Sequence, residues 1–163
     1  MSMKITILCV GALKEAYWRN AVAEYTKRLS RFCTLEILEV PEKKLPANAG
    51  AAEEQAVVEA ESRRLWEKLP SSPQTLVIAL DILGKELSST ELAGKMSDWT
   101  VRGKSELVFL IGGSLGLSRL LLDRADFRLS FSPMTFPHQL MRVLLLEQVY
   151  RAFKINHNQP YHK

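Results

Sequence analysis

Residues 107–118, LVFLIGGSLGLS, carry an unbroken apolar run into a turn containing three glycines. A short run that is apolar at successive positions, rather than at every second one, is the pattern of a strand covered on both faces. Residues 74–81, QTLVIALD, repeat it. Strands of this kind belong to parallel sheets flanked by helices, so helix-forming segments should separate them. The flanking sequence meets that requirement. Residues 51–69 are rich in helix formers and end before Pro70, and Ser88 with Glu91 form a capping box that opens a helix to about residue 101. Upstream, KITILCV (4–10) is a β-branched strand, and residues 15–31 place Trp18, Ala21, Val22, Tyr25 and Leu29 at helical spacing. CTLEILEV (33–40) alternates like a strand with one more exposed face, and PEKKLPANAG (41–50) is a loop. Downstream, a short helix near 118–125 leads to a fifth strand at 127–132 and a long helix from about Pro137 to 156, with proline in its first turn. The fold class is α/β with a mainly parallel sheet, one domain over 1–163, without internal repeat or linker.

The final helix, QLMRVLLLEQVYRAFKI, is apolar nearly all round, which predicts burial on two sides. The second side is expected to be another subunit.

A 47% hydrophobic content supplies a real core, and 25% charged residues exclude a membrane-embedded chain. No stretch approaches the roughly 18 to 20 apolar residues of a membrane span. ITILCVGAL has the length of a signal-peptide core, but it runs straight into an amphipathic helix, so it reads as a first strand in a cytoplasmic protein. Met1 and Ser2, ahead of Met3, read as an added leader. Cys9 and Cys33 are too far apart for a CxxC motif and fall in strands, as buried reduced thiols do. His138, His157 and His162 make no zinc-like spacing with them, so no metal is expected. The net charge of +4 permits an anionic partner without requiring one. Basic residues recur on 14–31 and 142–163 while acidic ones gather in 53–61, a split compatible with nucleic acid.

Three strand-end segments, 76–81, 110–116 and 131–138, would converge on one pocket in a doubly wound sheet. The glycines of LIGGSLG (110–116) either let a ligand reach the backbone or merely turn the chain, and spacing leaves both open. A dinucleotide fingerprint would follow the first strand, not the fourth. RGKS (102–105) is no phosphate-binding loop, because Asp98 stands where the first glycine belongs. The loop of Ser132, Pro133, Met134, Thr135 and Phe136 offers backbone donors and acceptors, apolar walls and no charge. That suits a neutral aromatic base and tolerates a sulfonium, although a tight hydrophobic connection would look similar. His138 begins the last helix and Arg142 lies one turn on, on the same face. Either could be a cap or a surface ion-pair partner instead. In the tail (157–163), Tyr161, His162 and Lys163 could stack on a base and meet phosphate, or could simply fray.

LIGGSLGLS, VIALDILGKELSS and LSFSPMTFPHQLMRVLLLEQVYRAFKINHNQPYHK together closely resemble the RlmH family of SPOUT-class ribosomal RNA methyltransferases, and the resemblance covers the whole chain. It implies a C-terminal trefoil knot over about 76–156, an exception to the rule against knotted chains. It also implies a homodimer, S-adenosyl-L-methionine as methyl donor, and N3-methylation of a pseudouridine in a hairpin loop of 23S rRNA on the assembled 70S ribosome. Leu80 and Gly112 match the family's first two cofactor contacts, and Phe131, Ser132, Pro133, Met134, Thr135 and Phe136 match its knot loop. The last helix becomes the dimer face and the tail a substrate arm. His138, Tyr161 and His162 are candidates for taking the N3 proton, and Arg142 for holding phosphate or a base carbonyl. Competing readings are a catalytically inactive ribosome-binding protein of the same fold and a methyltransferase of this class aimed at tRNA. Against the second, the chain carries no appended RNA-binding domain. The target nucleotide, the preference for pseudouridine over uridine, the general base and the ribosomal stage stay open.

Overall fold

The computed structural model describes residues 3–162. Met1, Ser2 and the tail cation Lys163 lie outside the described residues. The strands are β1 (Met3–Val10), β2 (Cys33–Val40), β3 (Thr75–Glu86), β4 (Glu106–Ile111) and β5 (Phe127–Ser130). The helices are α1 (Ala16–Leu29), α2 (Ala51–Glu67), α3 (Ser89–Val101), α4 (Arg119–Arg124) and α5 (His138–Asn156). The strands form one sheet in the order β2-β1-β4-β3-β5, and every pairing is parallel.

Side-chain alternation splits each central strand between two cores. Ile5, Ile7 and Cys9 of β1 and Leu107, Phe109 and Ile111 of β4 join the core beneath α1, α3 and α5. Leu8, Val10, Val108 and Leu110 join the core beneath α2 and α4. This two-sided cover is why β1, β3 and β4 read as continuous apolar runs. Cys9 and Cys33 are free and buried, and burial pushes their thiols up to about 11 and about 12. They are poor nucleophiles at neutral pH.

Two features differ from the expectation. β3 does not stop at Asp81. It continues to Glu86 by pairing with β5 again after an irregularity, Leu80 and then Lys85 both facing Leu129. The extension lies beyond the helix-covered part of the sheet, so its polar residues cost little desolvation there. The other feature is α5, whose two apolar sides are covered largely within the chain, because it lies between α1 and α3. Leu140, Val143 and Leu144 in its first turns and Ile155 in its last are half-buried. Pro137 is the N-cap of α5 rather than its first helical residue.

The capping box forms as the spacing requires. Ser88 Oγ accepts from the Glu91 N–H at 3.1 Å, and Glu91 Oε1 accepts from the Ser88 N–H at 2.7 Å. Ser88→Ala is expected to destabilise the protein by about 1 kcal/mol. Urea denaturation should show a lower midpoint with an unchanged slope.

Candidate functional site

A cavity of about 660 Å³ opens at the carboxyl ends of β4 and β5 and beside the point where β3 leaves its pairing with β4. It is walled by Leu80–Ile82, by Ile111–Leu117 and by the loop that leads into α5. The three strand-end segments therefore do converge. Leu80, Gly112, Phe131, Ser132, Met134, Thr135, Phe136 and His138 all line the cavity, whereas Pro133 is exposed and does not.

The glycine turn owes its composition to its own closure. A Cβ on Gly112 would sit 2.7 Å from the Gly116 carbonyl carbon and 2.8 Å from its oxygen. Gly116 turns at φ +83° and donates its N–H to the Gly113 carbonyl at 3.0 Å. Closure of the turn requires these glycines, and Gly112, Gly113 and Gly116 also bring backbone to this wall beside Ser114, Leu115 and Leu117. Behind the turn, Ser62 Oγ on α2 accepts from the Ser118 N–H at 2.8 Å, and Ser118 caps α4 through the Leu121 N–H. The facing loop is held by Ser130 Oγ, which donates to the Ile82 carbonyl at 3.0 Å, and by Ser132 Oγ, which accepts from the Met134 N–H at 3.0 Å.

Sequence spacing does not single out Asp81, yet it lines the cavity. Its Oδ1 accepts from the Leu83 N–H at 3.2 Å, which leaves the other oxygen for a ligand. The available signal is its place as the first charge after the apolar run of β3.

His138 stands half-buried on the cavity wall at the start of α5. Burial pushes its pKa below the ordinary 6.5, with Glu42 opposing and Arg142 reinforcing the shift. The imidazole is consequently neutral at pH 7 and able to accept a proton. Arg142 follows one turn later but leaves the cavity. At 2% exposure it places Nη1 2.5 Å from Glu39 Oε2 and donates from Nη2 to the Gly11 carbonyl at 3.0 Å. Its Nε has no partner among the described residues. The guanidinium is thus committed to the ends of β1 and β2 instead of to the cavity.

Tyr161 and His162 lie at the far end of α5. The Tyr161 hydroxyl donates to Glu147 Oε2 at 2.9 Å, and its ring lies 4.6 Å beneath the Arg151 guanidinium. His162 Nδ1 is 3.2 Å from Arg151 Nη1. From His138 to Arg151 the helix rises about 20 Å, so the structure does not bring the tail to the cavity of its own chain. Among the described residues no group of three or more His, Cys, Asp or Glu could hold a metal.

A backbone-rich wall, apolar sides, one carboxylate and one neutral imidazole can enclose a neutral ring, tolerate a cationic centre and remove a proton. The family model for predicted SPOUT methyltransferases matches residues 3–162. The chain belongs to the SPOUT methyltransferase family. Proteins named ribosomal RNA large subunit methyltransferase H from Carboxydothermus hydrogenoformans and Clostridium novyi are 53% and 52% identical to it over 161 residues, 99% of this chain and 100% of theirs. A solved probable methylase family protein from Haemophilus influenzae shares the fold with a TM-score of 0.53, covering 99% of this chain and 70% of that one at 14% identity. This SPOUT methyltransferase has its cavity where open α/β sheets place ligands, beyond the strand ends.

Proposed function

We propose that the chain is an S-adenosyl-L-methionine-dependent methyltransferase acting on N3 of a pseudouridine in 23S rRNA of the assembled 70S ribosome, and that it works as a cytoplasmic homodimer with the trefoil knot over about 76–156. The observation that carries this is the full-length likeness to relatives named for large-subunit ribosomal RNA methylation. The cavity fits the donor. Its volume falls within the roughly 300–1,000 Å³ of sites that enclose small ligands. Among the described residues no lysine or arginine lines it, so a sulfonium is not repelled. Leu80, Gly112, Phe131, Ser132, Met134, Thr135 and Phe136 would hold the adenosine part, and Asp81 would face hydroxyl or ammonium groups. When bound, the donor supplies an electrophilic methyl group; the protein supplies position and a proton acceptor.

His138 is the acceptor that the geometry favours, because it alone of the four candidate polar residues faces the cavity. Only the neutral imidazole takes the N3 proton, and its pKa is depressed, so turnover should hold through neutral pH and fall through an inflection below 6.5. His138→Gln should remove that inflection and lower turnover roughly 10²-fold or more, with donor affinity unchanged. Initial rates between pH 5 and 8 with saturating ribosomes check this.

The tail lies about 20 Å from its own His138, so in the proposed homodimer its part in the reaction would be at the partner's cavity. Met134 and Ile82, which line the cavity, are 73% and 46% exposed, and Leu83 next in the chain is 89% exposed, an apolar patch that a second copy would cover.

The test is transfer of labelled methyl to 70S ribosomes, free 50S subunits and bulk tRNA from cells lacking the protein. Label in 70S large-subunit rRNA is expected. Label confined to tRNA would redirect the substrate. No label anywhere, from folded and dimeric protein, would leave only a ribosome-binding role.

A further inference from the structure

Two segments border the cavity without lining it. Gly11, just past β1, is so close to His138 that a Cβ there would lie 3.5 Å from Nε2 and 3.7 Å from Glu42 Oε2. Lys43, past β2, donates its N–H to Glu61 Oε2 at 2.9 Å, and Glu61 Oε1 would be 2.8 Å from a Cβ on Gly113 of the cavity wall. The segments 12–19 and 41–44 thus set out from points beside the cavity, Gly11 at His138 and Lys43 behind Gly113.

Every side chain from Pro41 to Asn48 is exposed, yet the backbone is held. Arg64 donates to the Pro41 carbonyl at 2.7 Å, and Arg19 donates to the Leu13 carbonyl at 3.1 Å and to that of Lys14. A fixed backbone presenting Lys14, Tyr17, Lys43 and Lys44 has already lost the freedom that binding would otherwise remove. Tyr17 is 63% exposed and is braced edge-on by Trp18, with ring centroids 4.9 Å apart. Among the described residues, Lys14, Lys43 and Lys44 join no ion pair, whereas Arg28, Arg119, Arg128 and Arg151 each sit on a carboxylate. Glu15 and Glu42 lie in the same segments, against Lys14, Arg19, Lys43 and Lys44, so the surface is cationic on balance. Unpaired ammonium groups beside an exposed aromatic match the phosphates and an unstacked base of a single strand.

Resting on the proposal that the substrate is ribosomal RNA, we infer that residues 12–19 and 41–44 receive the looped RNA strand next to the target nucleotide, with Lys14, Lys43 and Lys44 on its phosphates and Tyr17 stacked on a neighbouring base.

Lys14, Lys43 and Lys44 are replaced together by glutamate. A control carries Lys27→Glu, Lys68→Glu and Arg102→Glu, at the carboxyl ends of α1, α2 and α3 and so toward the opposite end of the sheet, with the same change in net charge. Binding to 70S ribosomes by sedimentation, KM for methyl transfer to them, and calorimetric affinity for S-adenosylmethionine are measured on the full chain. The first variant should bind ribosomes at least tenfold more weakly and raise KM in step. The slope of log affinity against log salt should shrink by about two, since each lost phosphate contact removes roughly 0.7–0.9. Donor affinity should not change, and the control should behave as wild type. Tyr17→Ala should weaken ribosome binding about tenfold. Equal losses in both triple variants, or none in the first, overturn the assignment. Loss toward ribosomes with none toward protein-free 23S rRNA would move the surface to an acidic ribosomal protein and overturn it also. Absence of methyl transfer by the wild type would refute the proposed reaction instead, while the binding comparison still decides the surface.

Discussion

Gly112→Ala should weaken S-adenosylmethionine binding roughly tenfold or more and leave a folded protein. The added methyl would lie 2.7 Å from the carbonyl carbon, 2.8 Å from the oxygen and 3.1 Å from the Cα of Gly116. All three are backbone atoms, so no side chain can swing aside and the turn itself must shift by several tenths of an ångström. Forcing a methyl into a closed site costs roughly 1–3 kcal/mol, about five- to 150-fold in affinity where the strain falls on the binding wall. The other end of the turn is fixed by the Ser118–Ser62 bond, so the shift falls on the cavity wall. Gly94 offers the opposite sign in the same chain. It lies inside α3 with nothing within 4 Å of an added methyl, and Gly94→Ala should stabilise by roughly 0.5–1 kcal/mol. Titration calorimetry and thermal melts of the two variants separate the effects. Donor affinity within threefold of wild type for Gly112→Ala would place the donor site elsewhere.

Arg142→Ala should destabilise the protein by about 3 kcal/mol, well beyond the loss from Ser88→Ala. Removing one partner of a buried pair costs roughly 3–5 kcal/mol. The lower end applies because the Glu39 side chain is 40% exposed and can rehydrate. The Gly11 carbonyl also loses its donor. A functional signature accompanies the loss of stability. The Arg142 charge helps to depress the His138 pKa, so without it the imidazole titrates higher and the acid limb of the rate profile moves up in pH. Arg142→Lys keeps the charge but not the fork that reaches Glu39 and Gly11 together, and should fall between. Chemical denaturation measures the first effect and the pH profile the second. A wild-type acid limb in Arg142→Ala would break the electrostatic link to His138.

Much of the fold is legible in the residues, and what is not has a common cause. β1, β3 and β4 announce themselves because two-sided burial writes the same apolar run wherever it occurs, and Ser88 with Glu91 marks a helix start through strictly local bonds. The extension of β3 to Glu86 depends on a second pairing with β5, and nothing within residues 82–86 encodes a partner more than forty positions away. His138 and Arg142 share a helix face, which spacing reveals. Spacing does not reveal that the cavity lies opposite one and the ends of β1 and β2 opposite the other. The tail is similarly ambiguous: Tyr161 is an aromatic at a chain end by sequence, and a bonded partner of Glu147 only in three dimensions. Asp81 escapes notice because a single acid after a strand is common, and only the convergence of three loops gives it a role.

The order in which the cavity acquires its walls bears on when the protein can first act. Residues 80–82 and 111–117 are held by the sheet itself, but the wall of residues 131–141 is held only once α5 has slotted between α1 and α3. Parallel, long-range pairing of this kind forms slowly. A chain cut before α5 would therefore lack one wall of the cavity, and the proposed donor affinity should disappear with it even where the sheet still forms.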